Sequence, residues 1–177
     1  MRHRGRRTAG LFDCPHALLL PCALPLDQGD LQRLHELGAR LCHAFVHAHR
    51  LRIRLSSVVL AACCSHTTLA HRILPTLEQC IDAARAFDPA LGESLDTVLG
   101  QALVQPFACE VAGVAWLVDD SSKRAWALAF VRDLLVGRRL PALCAVRRGF
   151  RAAAACHVCP ARGEGRGLVM ARVSRPG

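Results

Sequence analysis

Apolar residues recur along most of this chain at the three- and four-residue spacing of an α-helix, and the pattern predicts helices joined by short connections. Leu31, Leu34, Leu41, Phe45 and Ala48 form the first such stripe, so a helix is expected over 31–49 with Asp30 as its N-cap. Its other face carries Glu36, Arg40, His43 and His47, three or four residues apart. From 57 to 74 the polarity falls, with Val58 to Cys64 unbroken, as in a helix surrounded by others. The alternation Leu51-Arg52-Ile53-Arg54-Leu55 leaves room for a short strand before it.

Pro75 and the pair Thr76/Gln79 read as the start of another helix, with the stripe Leu77, Cys80, Ile81, Ala84 and Phe87. Asp88-Pro89 restarts the chain, and Leu91, Leu95, Val98, Leu99, Ala102 and Leu103 follow before Pro106 closes the run. Residues 108–118 are apolar apart from Glu110 and are expected to form a buried helix. Residues 119–122 make a turn from which Ser121 caps a helix with the stripe Trp126, Phe130 and Leu134, ending near Gly137. A last short helix is expected over 141–155. The fold class expected is therefore all-α, an irregular bundle of six or seven helices around one or two buried apolar helices. Its domain organisation divides at 1–29, a basic arm and Pro-containing approach segment, 30–155, the helical domain, and 156–177, an Arg/Gly-rich tail with flexible basic character.

Composition sharpens this picture at the ends. The 177 residues suit one domain with tails, and a hydrophobic share of 52% is enough for a core. Arginine greatly outnumbers the single lysine, Lys123, and Asn and Tyr are absent, a skew that tracks GC-rich codons and fits a large DNA virus or a high-GC bacterium. Without Asn or Tyr, N-glycosylation and several catalytic roles drop out. Residues 8–137 carry an excess of acidic groups, whereas Arg2, Arg4, Arg6 and Arg7 crowd one end and Arg138, Arg139, Arg147, Arg148 and Arg151 the other. Codon bias acts on the middle as well, so it does not explain that division. These arginines are the expected contacts for phosphate or another anion, or for a nuclear-import receptor. Tyr is missing and only Phe150 lies among them, which leaves little for base stacking.

The ten cysteines are scattered, and free thiols in a reducing compartment are expected. The apolar run after the basic N-terminus is interrupted by Asp13, His16 and prolines 15, 21 and 25, unlike a signal peptide. No stretch reaches the roughly 20 apolar residues of a membrane span. A soluble protein of the nucleus or cytoplasm is expected.

Candidate chemistry is sparse. His43-x3-His47, with Cys42 and His49 nearby, has the spacing of a helical zinc pair without the acid of the zinc-protease motif, and it reads as a solvated polar face. Cys63, Cys64, His66 and His71 read as core cysteines beside two histidines. Cys156-His157-Val158-Cys159 is the sole C-x-x-C and has no second pair at zinc spacing, so a distant His or another chain must complete any zinc site there. Gly163, Gly165 and Gly167 read as linker. No nucleophile elbow or phosphate loop is present, so neither a catalytic site, a resident metal nor a cofactor is expected.

One pattern points to a protein partner. Leu34-x-x-Leu37-Gly38-x-x-Leu41 resembles the short helix by which Bcl-2 family members pair. The resemblance covers 34–41, puts Ala39 where that family carries Asp, and is not accompanied by the family's Asn-Trp-Gly-Arg box. It implies an apoptosis regulator in which Leu34, Leu37, Gly38 and Leu41 face the partner. The function expected is that of a non-enzymatic helical interaction protein with anion-binding ends. The rivals are a nucleic-acid-binding accessory protein, a Bcl-2-like regulator and a zinc-binding protein.

Overall fold

A computed structural model of the chain describes residues 11–13, 18–23, 25–49, 54–65 and 70–158. The architecture is mostly helical but includes β-structure, which corrects the all-α expectation. The first strands, β1 (Phe12–Asp13) and β2 (Leu18–Pro21), pair antiparallel, and the long helix α1 (Gln28–Val46) follows. Strand β3 (Arg54–Leu55), within the alternating 51–55 segment, then pairs parallel with β2. Leu20 is fully buried, and Leu11 and Cys22 are nearly so. The core therefore draws on residues upstream of 30.

Helix α1 starts earlier than its stripe suggests. Asp27 is the N-cap: its carboxylate accepts from the Asp30 N–H at 2.7 Å, while the Asp27 N–H donates to the Asp30 carboxylate at 3.3 Å. Asp30 is thus the third helical residue, and the two acids close a capping box.

The expected central helix over 57–74 is interrupted. Helix α2 (Ser57–Cys64) stops at Ser65, whose backbone is extended, and the single turn α3 (Ala70–Ile73) resumes beyond it. Val58, Val59, Ala62 and Cys63 of α2 are buried, whereas Cys64 is exposed. Helix α4 (Leu77–Phe87) is capped by Thr76, whose hydroxyl accepts from the Gln79 N–H, as the pair predicts. Asp88 ends α4 and caps α5 (Pro89–Gly100), with Pro89 in the first turn, where its missing N–H costs nothing.

Residues 107–118 are a β-hairpin and not a helix. Strand β4 (Phe107–Val111) pairs antiparallel with β5 (Val114–Val118), in register from Phe107 opposite Val118 to Val111 opposite Val114. Ala112 and Gly113 make the two-residue turn with φ of 53° and 78°, a left-handed pair of the kind that matches strand twist. An apolar run of this length satisfies both periods, and the positive-φ turn with β-branched flanks decides for strands.

Helix α6 (Lys123–Leu135) follows a turn built on Asp119, whose carboxylate accepts from the backbone N–H and the hydroxyl of both Ser121 and Ser122. Ser121 is therefore part of that turn and not the cap. Ala127, Val131 and Leu135 are the most buried side chains of α6; of the expected stripe Trp126 is also in the core, and Phe130 and Leu134 are half-buried against it. A 3₁₀ turn, Gly137–Arg139, leads into α7 (Leu140–Val158), which passes the expected end at 155.

Helices α1 and α7 form the main seam. A Cβ on Gly38 would overlap the Val146 carbonyl and stand 2.8 Å from the Phe150 nitrogen, and one on Gly149 would overlap the His35 carbonyl. Two glycines thus let the backbones touch, where any larger residue would force them apart. The contacts of His35 with Gly149 and of His43 with His157 step the same way along both helices. The pair is therefore parallel, and the two C-terminal ends coincide. Among the described residues no helix is long and apolar enough to cross a membrane.

Candidate functional site

The leucine face of α1 is occupied by the chain's own core. Leu34 and Leu41 are each 1% exposed, Gly38 is buried against α7, and Leu37 is half-buried against the core. In this fold the Bcl-2-like pattern packs an intramolecular seam. Gly38 serves the close approach of α7, Leu34 and Leu41 are buried, and Leu37, half-buried, lines an open cavity with Leu34, Leu11 and Phe12.

Among the described residues the arginines do not form one surface. Arg2, Arg4, Arg6 and Arg7 lie outside the described residues. Arg138 pairs with Asp133 at 2.9 Å. Arg139 is only 3% exposed, lies over the Phe87 ring at 5.3 Å and donates to the Leu134 carbonyl. Arg147 donates to the Ser65 carbonyl at 3.1 Å, beyond the end of α2. Arg148 and Arg151 are exposed on α7.

Sequence reasoning missed Arg132, which donates to the Leu74 carbonyl at 2.9 Å and to the Pro75 carbonyl at 2.8 Å just beyond α3. Arg132, Arg139 and Arg147 thus satisfy carbonyls near helix ends, where orphan acceptors and the negative end of the helix dipole favour a cation. The acceptors of Arg132 and Arg147 lie 57 to 82 positions away in the chain, and no local signal announces them.

The structure does bring together two motifs that the sequence keeps apart. At the C-terminal end of α1, His43 and His47 stand one turn apart with ring centres 4.2 Å from each other. The chain then reverses through Ala48, held at φ 51°, while the His49 N–H reaches back to the Ala44 carbonyl at 2.8 Å. This left-handed termination folds His49 over the helix end, 6.1 Å from His43 and 5.8 Å from His47, centre to centre. From α7, His157 of the C-x-x-C motif arrives at 5.7 Å from His43 and 5.6 Å from His47.

The four imidazoles are exposed, and those of His43, His49 and His157 line an open groove of about 630 Å³ whose walls include Ala39, Arg40, Ala153 and Cys156. Partial desolvation, then the charges of His43, His157 and His49, hold the His47 imidazole below the usual histidine range. As the rings stand, no three His, Cys, Asp or Glu side chains among the described residues are set to hold a metal ion.

Among the described residues the other cysteine–histidine set does not assemble. His66 lies outside the described residues, and the break at Ser65 removes the helical spacing between α2 and His71. Burial, with smaller contributions from Cys64 and Cys42, pushes the Cys63 thiol up to about 11, and burial also raises Cys80 and Cys42. Such groups remain protonated thiols at neutral pH. The cysteines from Cys22 to Cys156 in the described residues are free. Cys159 lies outside them.

A second surface stands out at the hairpin. Ala108 opposes Leu117 and Glu110 opposes Ala115 on its outer face, and all four are exposed, Leu117 by 67%. Val114 at the turn is 57% exposed, and Val104 just upstream is also bare. The inner face is covered: Phe107 meets Trp126 edge-on at 5.5 Å, and Val111 and Val118 are buried. Compared with known proteins, the chain matches no family model, and no curated protein shows significant similarity to it.

Proposed function

We propose that this chain is a non-enzymatic helical interaction protein that docks a protein partner through the β4–β5 hairpin, a helical bundle serving as its scaffold. The observation that carries the reading is the bare outer face, Leu117 with Ala108 and Ala115 beside the single charge of Glu110; Val114, exposed at the turn, belongs to the other face. Scattered exposed apolar residues are ordinary, but here they share one small sheet. Among the described residues β4 and β5 pair only with each other, so each keeps an open edge. An extended segment of a partner can add to such an edge by main-chain hydrogen bonds, with its alternate apolar side chains resting on Leu117. The leucine face of α1, where Leu34 and Leu41 are buried and Gly38 lies against α7, is not the docking surface in this reading. The arginine-rich ends add attraction to anionic surfaces or to an import receptor.

The test compares proteins captured by the wild-type chain with those captured by a Val114→Lys/Leu117→Lys variant, identified by mass spectrometry, after thermal melting has shown equal stability. Loss of a specific partner from the variant is expected, and an unchanged set of partners sinks the reading. Binding of a short DNA duplex at two salt concentrations, run alongside, separates the phosphate-binding rival, whose affinity must fall steeply with salt.

A further inference from the structure

We propose that the imidazoles of His43, His47 and His157, with His49 as fourth donor, form a surface site for one divalent transition-metal ion, zinc being the ion that suits them best. This inference is independent of the hairpin reading.

The spacing of the rings carries it. A zinc–nitrogen bond of about 2.0–2.1 Å, plus about 1.2 Å from nitrogen to ring centre, sets each imidazole centre about 3.2 Å from the ion, and tetrahedral neighbours about 5.2 Å apart. The three ring centres lie 4.2, 5.7 and 5.6 Å from one another. His49 stands 6.1 and 5.8 Å from the two rings of α1. Each distance is within about 1 Å of the tetrahedral spacing. The ring centres in these five pairs thus already stand near the spacing one ion needs.

What the rings lack is direction, because they meet tilted, stacked or edge-on and their nitrogens do not converge. The correction is a rotation about the Cβ–Cγ bond, a broad torsion in histidine, and exposure leaves all four rings room to turn.

Three further features favour a cation here. His43 and His47 have the i, i+4 spacing with which one helix face supplies two ligands. Because α1 and α7 run parallel, the negative ends of both helix dipoles meet at the cluster. The left-handed turn at Ala48 holds His49 over the site at some backbone cost, where a relaxed chain would carry it away. Arg40 in the groove wall opposes a cation, and the ligand set must overcome that repulsion. The donors are neutral nitrogens, which suits zinc over calcium or magnesium. The site also completes the C-x-x-C motif differently from a zinc ribbon, by lending its His157 to the histidines of α1.

The experiment uses the full chain, purified without a histidine tag and stripped with chelator, titrated with Zn²⁺ by calorimetry and with Co²⁺ by visible absorbance. One equivalent of metal is expected, with cobalt bands typical of nitrogen ligation. Each of His47→Ala and His157→Ala should weaken binding by about tenfold or more, while H71A, an exposed histidine on α3, should leave it unchanged. No uptake overturns the proposal. Uptake that H47A removes and H157A does not also overturns it, since the site then belongs to α1 alone. A cobalt spectrum dominated by thiolate charge transfer and abolished by Cys156→Ser overturns it too, in favour of a cysteine site. Circular dichroism of each variant checks folding, and His157→Gln provides a second, milder substitution.

Discussion

The α1–α7 seam and the β4–β5 hairpin are both apolar, yet they use that character in opposite ways. In the seam, Gly38 and Gly149 bring two backbones into contact, and Leu34, Leu41, Leu143 and Val146 are shut from water on either side. In the hairpin, Val111 and Val118 of the inner face are covered, while Leu117 on the outer face and Val114 at the turn are exposed. The indole N–H of Trp126, buried beneath the hairpin, has no acceptor among the described residues. A buried donor left unmade costs free energy, so the hairpin side is the less completely satisfied of the two. Apolar sequence alone does not distinguish a scaffold from a docking surface. Coverage does.

The sharpest way to break this contrast is Gly149→Val. With no room for a Cβ against the His35 carbonyl, the helices must separate, and a loss of about 3 kcal/mol or more is expected in urea unfolding. If the variant melts like wild type, the close approach is not what holds the seam. Arg132→Met should have the next largest effect. It leaves the Leu74 and Pro75 carbonyls without their charged donor, and about 2 kcal/mol is expected from the same measurement.

Asp119 probes the junction between the hairpin and α6. Hydrogen bonds from Ser121 and Ser122 hold its carboxyl down at about 2, below the unfolded value of about 3.9. A depressed carboxylate stabilises the fold above the unfolded value and loses that contribution as pH falls through the folded one. Tryptophan fluorescence, reporting on Trp116 and Trp126, should therefore show the wild type losing stability between about pH 4 and pH 2, relative to Asp119→Asn. Parallel curves for the two proteins would remove Asp119 from the account. The smallest effect belongs to Leu117→Ser, expected to stay within about 0.5 kcal/mol of wild type because the side chain is already in water. A larger loss would mean that the outer face is covered after all.

Much of the local structure is legible without coordinates. Thr76, Asp88 and Pro89 mark helix starts because a cap acts on N–H groups two or three residues away, a distance the sequence displays directly. The hairpin is not legible in this way, since an eleven-residue apolar run fits either period and only Ala112-Gly113 tips it. The inward face of α6 is legible only in part, with Trp126 in the core as its stripe predicts. Trp126, Phe130 and Leu134 are larger than Ala127 and Val131, yet the neighbours of α6 favour the smaller side chains at the tightest contact.

The candidate site was legible only in pieces. His43-x3-His47 and Cys156-His157 are each visible, and each lacks partners along the chain. Their meeting depends on α1 and α7 running parallel through two glycines, a relation between residues more than a hundred positions apart. Sequence by itself determined the helical majority, the caps of α4 and α5 and the excess of arginine at the ends, because periodicity, capping and charge are properties of neighbouring residues. Tertiary structure alone decided which leucines are covered, which arginines satisfy distant carbonyls and which histidines share a groove, because burial and proximity are set by whatever the rest of the chain packs against each face.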